Sequence, residues 1–252
     1  MHSTSLAEGI IKSKKSFVFF HTWEVTKDLL QKAIKEQKNI HFDICVKDTG
    51  EPYLGHSKEY HEKSGKPYFN TMPLWEAVEM VAKSDIFVMV DCKRHDAWSA
   101  IEKVISTIGP ERCLVCSYVN ELKFDYSRKS GEPDFLTEWS PIKKLSKLKD
   151  KFPNLTTTSS SKWLPEDLLT SKKHKQLVDK VLDILKENNI DTVSMGIPSK
   201  TIADKWLKYF LNEGIIPHIV IDDVDVTKLS ELYIGETDYL ERASKVTLLE
   251  TI

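Results

Sequence analysis

The chain has little cysteine, no dominant charge and no long apolar run. Four cysteines in 252 residues do not amount to a disulfide framework. Cys113 and Cys116 form one CxxC, and no second pair exists to complete a zinc site. Both lie in the strand-like Cys-Leu-Val-Cys-Ser-Tyr, where positions three apart face opposite ways. All four cysteines therefore read as small buried residues. Lys and Arg number 36 against 38 Asp and Glu, a formal charge of -2, so nothing draws the chain to nucleic acid. The lysines are spread along helical segments as a solvated face. No transmembrane segment is expected, because no run is long and apolar enough to span a bilayer. The apolar run Phe17 to Phe20 is too short for a signal core and follows lysines, as a strand would. A cytoplasmic location is slightly favoured, and a secreted one would need a signal removed ahead of Met1. No Gly-x-Gly-x-x-Gly follows the first strand, so an open dinucleotide-binding sheet is the weaker architecture.

What the chain does have is regular alternation of strand and helix. Strands are expected at Ser16 to Phe20, Asn39 to Cys45, Ile86 to Asp91, Arg112 to Ser117, Asn154 to Thr158, Thr192 to Met195, Ile216 to Ile221 and Lys245 to Leu249. Helices are expected at Val25 to Lys35, from about Pro73 with Asn70 or Thr71 as cap, and at Ala97 to Ile108. Further ones follow at Thr137 to Lys151, Lys173 to Glu187, Thr201 to Asn212 and, more weakly, Val226 to Leu232. In the second of these helices the periodicity predicts a buried stripe of Leu74, Ala77, Val78 and Val81. The stretch after the second strand, through His56 to about Phe69, and Tyr118 to Pro133 read as loops. Eight strands separated by helices predict parallel pairing and an α/β fold, a (β/α)8 TIM barrel in a single domain spanning 1–252.

In such a barrel, chemistry gathers at the C-terminal ends of the strands. His21 ends the first strand. His41, Asp43 and Cys45 share one face of the second, and His56 follows the turn Asp-Thr-Gly-Glu-Pro. Asp91 ends the third, with Lys93 two residues on. An acid and imidazoles at this spacing suit a metal or acid/base site, or equally a half-buried polar strand edge. His21 has a plain alternative as a strand-end cap, His41 as a hydrogen-bonded core histidine, and Lys93 as the ion-pair partner of Asp91. Asp43 and Asp91 sit among apolar neighbours, where a carboxylate needs a partner or a metal. Ser117, Asp222 and Asp223 read as loop or capping residues.

These residues resemble the glycerophosphodiester phosphodiesterase-like superfamily, TIM barrels that include the phosphatidylinositol phospholipase C and sphingomyelinase D branches. The resemblance lies in His21, then His41-Phe42-Asp43, the turn Lys47-Asp48-Thr49-Gly50-Glu51-Pro52, His56, Asn70-Thr71-Met72-Pro73-Leu74 and Asp91-Cys92-Lys93. It covers roughly residues 16 to 95, and the turn is one residue longer than the family's. It implies His21 and His56 as general base and acid, and Lys93 as a phosphate-side charge. It implies a divalent ion on His41, Asp43 and Asp91, with Mg2+ or Ca2+ as the expected cofactor. Three positions depart from the family. Thr22 replaces an Arg, His41 a carboxylate, and Asp91 the more common Glu. A softer, less charged ligand set weakens a hard ion and brings transition metals into range.

The implied function is a metal-dependent phosphoric diester hydrolase or lyase of lipid metabolism. Its partners would be small molecules, glycerophosphodiesters or (lyso)phospholipid head groups. The alternative is a catalytically degenerate barrel that binds a phosphorylated ligand or a protein partner. Some other TIM-barrel chemistry is the third reading.

Overall fold

A computed structural model describes residues 4–13, 17–21, 24–64, 71–122, 141–161, 172–195, 208–220 and 234–238. Eight parallel strands close on themselves around one axis. They are β1 (Phe17–His21), β2 (Asn39–Val46), β4 (Val88–Cys92), β5 (Cys113–Leu122), β6 (Thr156–Ser161), β7 (Thr192–Met195), β8 (Ile216–Val220) and β9 (Ile234–Asp238). Each pairs with its neighbour in the ring, and β1 pairs with both β2 and β9, which seals it. The short β3 (Pro52–Leu54) runs antiparallel to the end of β2, outside the ring. This is the α/β TIM-barrel fold expected from the alternation.

The outward faces of the strands carry an apolar layer, with Ile40, Phe42, Ile44, Val88, Val90 and Val115 all buried. Against them pack α2 (Lys27–Lys35), α4 (Leu74–Ala82), α5 (Trp98–Ile108), α6 (Pro141–Lys151) and α7 (Lys172–Glu187). The stripe Leu74, Ala77, Val78 and Val81 is the buried face of α4, as its periodicity requires. In α2, Thr26 caps the first turn by accepting from the Leu29 amide. Cys113 joins this outer layer while Cys116 points into the barrel, so the CxxC does straddle the two faces.

Some elements differ from the sequence expectation. An additional helix, α1 (Leu6–Ser13), precedes β1. Its Leu6, Ala7 and Ile10 pack with Phe19, Met89, Leu114, Cys116 and Ile216 inside the ring, so α1 plugs the N-terminal end of the barrel. The Ala7 amide donates to Thr156 Oγ1 at 2.9 Å. The signal was local. Ser5 and Glu8 form a reciprocal capping box, each side chain accepting from the other's amide. The segment after β2 is not a plain loop but holds β3 and α3 (Lys58–Ser64). Thr71 does not cap α4. Its hydroxyl donates to the Leu54 carbonyl, and Pro73 takes the cap position. β4 runs to Cys92 rather than ending at Asp91. β5 continues to Leu122 through a register irregularity rather than ending at Ser117.

The eighth strand of the ring is Ile234–Asp238, whose Ile-Gly-Glu-Thr-Asp has no apolar run to announce it. The expected strand at 245–249, the helix at 226–232, the helix at 201–212 up to residue 207, and Thr22, Asn70, Asp222 and Asp223 lie outside the described residues. No helix among the described residues is long and apolar enough to cross a membrane.

Burial makes two predictions. Ile10 is buried in the plug while its neighbour Ile11 is exposed. Ile10→Ala should cost about 2–5 kcal/mol in urea unfolding, and Ile11→Ala no more than about 0.5 kcal/mol. All four cysteines are buried, and burial pushes the thiols of Cys45, Cys92 and Cys113 up. A thiol reagent should label none of the four at neutral pH until denaturant is added, as counted by mass spectrometry.

Candidate active site at the barrel rim

Strand register alone assembles most of the cluster. His21 on β1 is paired with His41 on β2, and Asp43 on β2 with Asp91 on β4. In parallel strands register partners project to the same side, and residues two apart share a face. His21, His41, Asp43 and Asp91 therefore all point into the barrel, near its C-terminal end. Lys93 follows β4 and is held by its amide, which donates to the Ile44 carbonyl at 2.9 Å.

His56 arrives by a different route. β2 turns back at Lys47–Gly50, where the Gly50 amide donates to the Lys47 carbonyl with φ at +85°. β3 then returns along β2. The Gly55 amide donates to the Asp43 carbonyl at 2.8 Å, and Gly55 has φ of +131°, a conformation that favours glycine. The next residue is His56. Its carbonyl accepts from the Tyr53 hydroxyl at 2.6 Å, and its ring stacks on Tyr60 at 4.1 Å between centroids.

All six residues expected at the site converge, and Asp43 is their centre. Asp43 Oδ2 lies 3.1 Å from His21 Nε2 and 2.8 Å from His56 Nε2. Asp43 Oδ1 lies 3.2 Å from His41 Nε2 and 3.0 Å from Lys93 Nζ. Lys93 also donates to Asp91 Oδ2, so its ammonium bridges the two carboxylates. The side chains of His21 and His56 keep 12% and 13% exposure, whereas His41 and Asp91 are sealed at 1% and 0%. The first two are thus the imidazoles a substrate can reach.

Electrostatics keep this ion pair charged. Burial pushes the Asp43 carboxyl up. The Lys93 ammonium and the His21 and His41 contacts outweigh it and hold the group well below the usual carboxylate range. Burial likewise pulls Lys93 down, and Asp43 and Asp91 outweigh it, holding Lys93 well above the usual lysine range.

Two groups of metal-ligating atoms occur among the described residues, each with its atoms within 4.8 Å of one another: His21, His41 and Asp43, and His41, Asp91 and Cys116. A hard divalent ion asks for six or more oxygen ligands, mostly carboxylate, carbonyl and water. Here two carboxylates already share an ammonium, and the third ligand is an imidazole. Three protein donors, one of them an imidazole, are a sparse set for Mg2+ or Ca2+, although Asp43 Oδ1 and Asp91 Oδ1 are buried without a hydrogen bond. The second group, with a thiol and an imidazole, is softer.

Sequence reasoning missed Cys116 as a site neighbour, although it is the register partner of Asp91. It also missed Tyr60 and the polar interior of the far wall. There, Thr158 and Thr192 are register partners, and Ser194 and His218 are buried on the same inward parity. The side chain of Ser117 is outside what the structure describes. A cavity of about 620 Å³ lies outside the cluster, lined by Tyr53, Leu54, Lys58, Thr71, Trp75 and Arg94 among others and by none of the six site residues. It is not the place where the acids and imidazoles meet.

The shifted Asp43 carboxyl sets a pH dependence. Its folded value is depressed, so its contribution is complete above the unfolded carboxylate value near ~4 and is lost as pH falls from there through the folded value. Asp43→Asn should cost about 3–5 kcal/mol at pH 7, because Lys93 loses one of its two buried counter-charges. It should also flatten the loss of stability below pH ~4. Urea midpoints of both proteins across acid pH check this.

No family model matches the chain, and no curated protein matches it in sequence. The fold is similar to a glycerophosphodiester phosphodiesterase from Parabacteroides distasonis ATCC 8503. The TM-score is 0.58 at 12% identity, over 94% of this chain and 98% of that one. It is also similar to a phosphonomutase-type protein from Burkholderia cenocepacia J2315. That likeness has a TM-score of 0.51 at 10% identity, over 96% of this chain and 97% of that one. At such identities the likeness establishes the TIM-barrel fold and leaves the activity to the residues at the rim.

Proposed function

We propose that this chain cleaves phosphodiesters of the glycerophosphodiester or (lyso)phospholipid head-group class, with His21 and His56 as an acid and base pair. One observation carries the reading: two imidazoles from separate elements converge on the same oxygen of a buried carboxylate, at the strand ends where barrel enzymes work. Asp43 orients both rings and stabilises either one as an imidazolium, the role an acid plays behind a catalytic histidine. One imidazole takes the proton of the attacking hydroxyl, from water or from the substrate itself. The other protonates the departing oxygen. Lys93 offsets the two carboxylates and offers positive charge to the phosphate. The resemblance of the first three strand units to phosphodiesterase barrels supports the same substrate class.

A second reading is a barrel that binds a phosphorylated ligand without turning it over. One observation favours it: Asp43 draws both Nε2 atoms onto itself, where they hold a carboxylate rather than a substrate.

Release assays with glycerophosphocholine, glycerophosphoethanolamine and lysophosphatidylcholine separate the two. On the first reading the protein turns over at least one of them. His21→Ala and His56→Ala each lower kcat by about 10²–10⁴-fold while keeping the wild-type circular dichroism. Thermal stabilisation by these compounds without product, unchanged in His56→Ala, would establish the second reading instead.

A further inference from the structure

We propose that Lys93 is the resident cation of this site, taking the position between Asp43 and Asp91 that the resemblance gives to a divalent ion. The inference rests on the cluster being a phosphate-handling site. It concerns how that site balances its charge.

Three observations converge. The Lys93 ammonium contacts one oxygen of each acid, Asp91 Oδ2 and, at 3.0 Å, Asp43 Oδ1. Those are the two carboxylates that strand register places side by side. The third expected ligand is His41, whose Nε2 stands 3.2 Å from Asp43 Oδ1 and 3.9 Å from Asp91 Oδ2. It adds no negative charge to hold a second positive one. Finally, each Asp43 oxygen already has two imidazole or ammonium neighbours, although Oδ1 lacks a hydrogen bond of good geometry. Oδ2 faces His21 and His56, and Oδ1 faces His41 and Lys93. A metal at Asp43 would have to displace contacts on one of its oxygens.

The substitution is chemically coherent. An ammonium is a compact point charge with three donors and suits two carboxylate oxygens at hydrogen-bond distance. It is tethered by the chain, so occupancy does not depend on ion concentration. The Lys93 amide on the Ile44 carbonyl fixes where the side chain starts. A glutamate at position 41 would place three acids around the ammonium. His41 leaves two, and both lie in contact with the one ammonium.

The experiment reads ion uptake rather than turnover. The full chain is dialysed against EDTA and titrated with Mn2+ by electron paramagnetic resonance and with Zn2+ by calorimetry. Melting temperatures are recorded with and without each ion. The wild type should take up no stoichiometric ion, and EDTA should leave its melting temperature unchanged. Lys93→Ala uncovers two acids and should bind one Mn2+ at least roughly tenfold more tightly than the wild type, with a higher melting temperature in its presence. Lys93→Arg keeps the charge and should behave as the wild type does. One equivalent of either ion on the wild type would overturn the proposal. So would a folded Lys93→Ala with no gain in Mn2+ affinity. If Lys93→Ala does not fold, the wild-type titration decides by itself. Failure to cleave any diester, with no ion taken up, would count against the enzymatic reading and leave the role of Lys93 standing.

Discussion

A single carboxylate with four cationic or imidazole neighbours organises the rim of this barrel. Asp43 is buried, and a buried carboxylate without partners would sooner take up a proton than stay charged. It stays charged because His21, His41, His56 and Lys93 surround it. Each partner comes from a different place: the end of one strand, the neighbouring position on its own strand, the loop after a hairpin, and the residue past a third strand. The charge of Asp43 is therefore a reason for these segments to end where they do. Truncating it would loosen four attachments at once, and the contributions would not be additive.

The barrel interior is divided in character. On the β1, β2 and β4 side, ionisable groups sit above Phe19 and Met89. On the β6 to β8 side the inward positions include Thr158, Thr192, Ser194 and His218, three hydroxyls and an imidazole. A charged wall facing a hydroxylated one gives the mouth a polarity, with reacting groups on one side and hydrogen-bonding groups on the other. The closed ring fixes that arrangement, because no strand can slip by one residue without turning its whole inward set outward. Below both walls, α1 keeps the base of the barrel apolar.

Much of this was legible in the residues. Strand and helix alternation shows in the apolar periodicity of Leu74, Ala77, Val78 and Val81, and in Val88 to Val90 buried on both faces. Five of the rim residues follow from parity and strand ends, since His21, Asp43 and Asp91 each interrupt an apolar stretch, and His56 follows from the turn after the second strand. What the residues hide is pairing. The contact of Lys93 with Asp43 crosses two strands, and Cys116 becomes a neighbour of Asp91 only through register. β9 hides for the same reason: its hydrogen bonds to β1 and β8 define it, while its side chains carry no strand pattern. The capping box of α1 was written in Ser5 and Glu8. Its destination inside the ring was not.

That plug couples the two ends of the folding problem. The Ala7 amide finds its acceptor on Thr156, 149 residues along the chain. β1 likewise waits for β9, the last described strand. Closing a long loop costs entropy before the contacts repay it, and structures dominated by distant contacts form slowly. The acids and imidazoles of the rim, by contrast, all lie within the first 93 residues, in strands that pair with near neighbours. A nascent chain emerging from the ribosome thus carries its whole set of reactive groups well before the ring that shields them can be sealed. Over that interval the charges of Asp43, Asp91 and Lys93 keep this segment solvated, where an apolar segment of the same length would invite aggregation.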